Sequence, residues 1–90
     1  MKRFASGATL THASATAVLA MGLQQIEAGA QEVDCAALTQ FDSSALAVLL
    51  AWQRAAQARH ASLDIVNLPA GLANLAQAYG IAELLPMTSS

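Results

Sequence analysis

The chain has 90 residues, a formal net charge of −2, and 11% charged against 56% hydrophobic side chains. Its four basic residues (Lys2, Arg3, Arg54 and Arg59) form no stripe that could follow phosphates, which argues against nucleic-acid binding. A lone cysteine, Cys35, excludes an internal disulfide, and only 4% aromatic residues leaves the core to Leu, Val, Ile and closely approaching Ala, with Trp52 the largest unit.

This length is read as one domain, with a core over about 5–86 and a short mobile tail over 87–90. Lys2 and Arg3 precede a charge-free stretch that superficially resembles a signal peptide or a membrane span. Ser6, Thr9, Thr11, His12, Ser14 and Thr16 interrupt it, so neither reading is adopted and the protein is expected in the cytoplasm without membrane insertion. Residues 4–11 read as a short strand or hairpin remnant with a turn at Gly7. Ser14 is the expected cap of a helix over 15–28, with Gly29 just past its end. Gly22 inside that helix costs about 1 kcal/mol against alanine, which marks a site of close packing. A strand over 32–38 follows and carries Cys35 as a buried, inert thiol.

Next comes Phe41-Asp-Ser-Ser-Ala-Leu-Ala-Val-Leu-Leu-Ala-Trp52, which opens a helix over about 44–59. Leu46, Val48, Leu49, Leu50 and Trp52 spread over an arc of roughly 200°, about twice what one core-facing stripe needs. This helix is therefore expected to pack on a sheet along one edge and to offer its other edge to a partner. Ser62-Leu-Asp-Ile-Val-Asn-Leu68 reads as a strand by its β-branched centre. Pro69 suits the first position of a helix carrying Leu72, Leu75, Ala76 and Tyr79, and Gly80 ends it. A short apolar turn over 81–85 and Pro86 close the pattern. Strands alternating with helices imply an α/β fold: a small, mostly parallel sheet with helices mainly on one face.

Enzyme templates match poorly. No glycine-rich phosphate loop follows a strand, and no Cys/His spacing fits a metal. His12 and His60 stand apart as polar loop residues. Ser43 or Ser44 as a nucleophile lacks a nearby base and the elbow of flanking glycines. Neither catalysis nor a cofactor is expected. At the helix start, Asp42 or Ser43 can serve purely as an N-cap. The same geometry also presents a rigid, exposed hydroxyl, where a phosphate of −1.5 to −2 charge would alter docking without unfolding the domain.

Val33-Asp-Cys-Ala-Ala-Leu-Thr-Gln-Phe-Asp-Ser-Ser-Ala-Leu-Ala-Val-Leu-Leu50 resembles the central signature of STAS domains, the fold of anti-sigma-factor antagonists. The segment over 67–85, with its Tyr79-Gly80-Ile81 ending, is similar to the family's closing segment, most of all in the STAS subunit of the Mla phospholipid ABC transporter of Gram-negative bacteria. The resemblance covers roughly residues 5–86. It implies a STAS-like fold and a non-catalytic cytoplasmic subunit, peripheral at the inner membrane, that binds the transporter's ATPase and through it the permease. Asp42, Ser43, Ser44, Ala45, Val48 and Trp52 are the expected partner-binding residues, with Ser43 at the Asp-adjacent position of the motif. Ala45 departs from the family's common Gly. In the sigma-regulator branch the resemblance implies phosphorylation within the Ser43–Ser44 pair. A homodimer that buries the spare apolar face is a third reading.

Overall fold

The computed structural model describes residues 2–85 and 87–88. In chain order the elements are β1 (Lys2–Ala5), β2 (Thr9–Leu10), α1 (Ala15–Glu27), β3 (Ala30–Asp34), β4 (Gln40–Phe41), α2 (Ser44–Ala58), β5 (Asp64–Val66), α3 (Ala70–Ala78), a 3₁₀ turn (Ala82–Leu84) and β6 (Met87–Thr88). The main sheet has the order β1-β3-β5-β6, with every pair parallel. Parallel neighbours need crossovers, and α1, α2 and α3 supply them. The order never reverses, so right-handed crossovers put all three helices on the same face.

Side-chain alternation agrees with that arrangement. Phe4, Val33 and Ile65 are paired across the sheet and buried beneath the helices. Arg3, Glu32 and Asp64 form the adjacent row on the opposite face, where the Arg3 guanidinium pairs with Glu32 and lies 3.6 Å from Asp34. The fold is the small α/β domain with parallel strands and three helices that the element order implied.

Several local expectations change. Residues 4–11 are not a hairpin: β1 joins the main sheet, while β2 pairs in parallel with β4 as a separate two-stranded ribbon. The third strand ends at Asp34 rather than reaching Leu38, because the Asp34 carboxylate turns the chain by accepting the Ala36 N–H at 2.9 Å. Cys35 therefore sits just past the strand, although its N–H still reaches the Val66 carbonyl at 2.9 Å. Its side chain is fully buried, and desolvation raises the thiol pKa to about 11. Pro69 takes the N-cap with extended ψ (141°) instead of the first helical position. Met87 and Thr88, expected in a mobile tail, pair with Ile65 and Val66. Pro86 and residues 89–90 lie outside the described residues.

Helix ends follow a common device. At the end of α2, His60 N–H donates to Gln57 C=O (2.9 Å) and Ala61 N–H to Ala56 C=O (3.0 Å), which is a Schellman motif. Its left-handed residue is His60 (φ 57°), so this histidine serves as a turn residue. Gly80 (φ 72°) plays the same part after α3, where its freedom from a Cβ makes the conformation cheap.

Candidate functional site

The site is the carboxyl edge of the sheet, where the loops leaving β1 and β3 run into α1 and α2. Asp42 ties these loops together. One carboxylate oxygen accepts the Ser44 N–H at 2.8 Å, inside its own loop, and the other accepts the His12 N–H at 2.9 Å, across from α1. These two charge-assisted bonds, the His12 bond first, hold the Asp42 carboxyl below its ordinary range. The β2–β4 ribbon beneath them fixes the same two loops through backbone pairing.

Asp42 thereby takes over the capping that Ser43 could have done. Ser43 occupies the N-cap position of α2 but makes no side-chain cap bond, and it is exposed. Among the described residues its hydroxyl has no hydrogen-bond partner, and so no base to activate it. Ser44 differs: it is half-buried, and its hydroxyl interacts with Asp42. The same division holds at α1. Ser14 accepts the Thr11 N–H at 3.0 Å, closing the preceding turn instead of capping the helix.

Between the first turns of α1 and α2 lies an open, mostly apolar groove of about 220 Å³, lined by Ala15, Thr16, Leu19, Ser44, Ala47 and Val48. Sequence reading anticipated Ser44 and Val48 here and missed the contribution of α1. The only available signal was the run of small and apolar residues after Ser14, which looks the same in any buried helix.

Two expected site residues are corrected. Trp52, assigned to an edge facing a partner, is fully buried. It packs edge-on against Phe4 with ring centroids 5.2 Å apart, and its indole N–H donates to the Leu19 carbonyl at 3.1 Å. Ala45 is also fully buried. The wide apolar arc of α2 is real, but α1 covers the half that had no sheet beneath it. Gly22 makes this possible, because a Cβ there would overlap the indole ring. Val48 is 3% exposed and meets the outside only as part of the groove wall. The surface left from the expected set is thus Ser43, with Asp42, Ser44 and Val48 at its margin.

Among the described residues no group of three or more His, Cys, Asp or Glu side chains is placed to hold a metal ion, and no helix is long and apolar enough to cross a membrane. Among the described residues the strand order of the main sheet never reverses, so its carboxyl edge has no switch-point crevice of the kind in which open α/β sheets hold small ligands.

A one-sided parallel sheet with an Asp-Ser-Ser helix start at its carboxyl edge has the features of a STAS domain. A family model described as "Mlab, STAS domain" (STAS_2) matches residues 6–86, and the chain belongs to that family. No curated protein and no solved structure gives a significant match.

Proposed function

We propose that this chain is a non-catalytic accessory subunit that binds the ATPase of an Mla-type phospholipid ABC transporter on the cytoplasmic side of the inner membrane, supporting its assembly or activity. The observation that carries this reading is Ser43: an exposed hydroxyl without a partner among the described residues, in a loop fixed by the Asp42 bonds and directly before Ser44, which lines the α1–α2 groove. The family supports the choice of partner. Ser43 and the groove rim make the contact. Trp52 and Ala45 act from inside, by holding α1 and α2 at the spacing that forms the groove. The subunit favours whichever ATPase conformation it contacts best, and it can shift the ATPase only by that difference in affinity. Lipid handling belongs to other subunits.

The test is co-purification of an ABC ATPase with the tagged chain from its own membranes. Ser43→Glu should abolish capture while leaving the far-UV circular dichroism at the wild-type value. Retained capture removes the assigned interface.

The same free hydroxyl favours a second reading, an anti-sigma-factor antagonist switched by phosphorylation at Ser43. Ser44 is the poorer acceptor, since its hydroxyl is already engaged by Asp42. Incubation with a cognate serine kinase followed by mass spectrometry decides it: a phosphopeptide at Ser43 supports the switch, and none rejects it.

A further inference from the structure

The β2–β4 ribbon that carries both tip loops is separate from the main sheet, so the side chains it turns inward set its seat. These are Leu10 and Phe41, a cross-strand pair. Leu10 is fully buried, while Phe41 is half-buried and packs on the edge of the core. Against the Phe41 ring lies Gly71, in the first turn of α3: a Cβ there would stand 3.3 Å from Phe41 Cζ and 3.7 Å from Cε1. Gly71 has no positive φ, so no turn requires glycine at this position, and glycine is a poorer helix former than alanine. What its bare Cα allows is the close approach of the ring. Asp42 follows Phe41 directly, and its carboxylate reaches across the ribbon to the His12 N–H at 2.9 Å.

We propose that Gly71 is a positioning residue for the Ser43 tip, acting from α3 through Phe41. A side chain at Gly71 obliges the ring to give by a few tenths of an ångström or more. Being half-buried, the ring can move, but it takes β4 with it. The fully buried Leu10 holds β2 in place, so β4 shifts against β2 and the strain falls on the Asp42 bond to His12. Without that bond the loop before Ser43 loses its tie to the α1 side. A loosened tip has to be ordered again on docking, which weakens binding. The consequence for docking rests on the ATPase reading; the control of the tip by Gly71 does not.

The test is hydrogen exchange by NMR on the full chain, comparing wild type with Gly71→Ala and Gly71→Val. The His12 N–H, held by Asp42, reports the tip; the Trp52 indole N–H, held by the Leu19 carbonyl, reports the α1–α2 contact. Exchange at His12 should rise about threefold in the alanine variant and about tenfold in the valine variant, with the Trp52 indole unchanged. Tm should not fall, since both residues favour a helix at least as well as glycine. Adding Phe41→Leu to Gly71→Val should slow His12 again, because the shorter side chain leaves room. Capture of the ABC ATPase should weaken in the same order as the exchange rises. Unchanged exchange at His12 in both variants overturns the proposal. So does equal acceleration at the Trp52 indole with a lower Tm, which would mean a general loss of packing. A faster His12 with capture unaltered, where Ser43→Glu abolishes it, overturns the link to docking. A wild-type chain that captures no ATPase defeats the ATPase reading alone, and the exchange at His12 still decides the role of Gly71.

Discussion

Replacing Gly22 with alanine puts a methyl group into space now filled by the Trp52 indole. Two effects oppose each other. Alanine favours the helix over glycine by about 1 kcal/mol. Against that, overpacking a filled core costs about 1–3 kcal/mol, and Trp52 has nowhere to go, being fully buried against Phe4. Any shift of the ring also breaks its bond to the Leu19 carbonyl, and a stranded buried donor costs about 1–3 kcal/mol more. The net destabilisation is about 1–5 kcal/mol, or a Tm drop of at least about 4–8 °C for a domain of this size. Urea and thermal unfolding followed by far-UV circular dichroism measure it. Combining Gly22→Ala with Trp52→Phe should recover part of the loss, because the smaller ring frees the space, so the two changes are non-additive. A Gly22→Ala protein more stable than wild type would mean that helix propensity alone governs the site and that the α1–α2 contact has been misread.

Trp52→Ala should cost about 3–5 kcal/mol, a large share of the 5–15 kcal/mol available to a typical domain. It should therefore shift the unfolding midpoint, whatever it does to partner binding. Asp42→Asn replaces one of the two accepting oxygens with a donor and should lower Tm at neutral pH. Since folding depresses the Asp42 pKa, the carboxylate's contribution is complete above its ordinary value of 3.8 and fades as pH falls through the folded value. The Tm gap between wild type and Asp42→Asn should accordingly close in strong acid, and a gap that persists there would rule out the charged bonds as its source.

Much of the architecture was legible because it rests on local chemistry. The alternation of β-branched runs with helical spacing identified the parallel α/β fold, and Gly22 announced a close approach before the approaching group was known. What failed was non-local. The arc from Leu46 to Trp52 is as wide as expected, but a single helix pattern cannot tell whether a second helix or another protein covers the extra width. Trp52 consequently went to the wrong side of that choice. The strand expected to reach Leu38 stops at Asp34, whose carboxylate binds both Ala36 N–H and the side chain of Asn67, 33 residues away. No sequence window holds both partners. Ser43 and Asp42 were each suitable caps by residue type. The His12 N–H, supplied from across the β2–β4 ribbon, makes Asp42 the anchor and leaves Ser43 free.

Hydrogen exchange on the chain with and without a saturating amount of the ABC ATPase proposed as its partner tests the proposed docking tip most directly. Amides over 42–48 and the facing first turns of α1 should slow at least about tenfold in the complex, while the exposed sheet face around Arg3 and Glu32 stays unchanged. Unaltered exchange over 42–48, with protection on the open sheet face instead, would contradict the account.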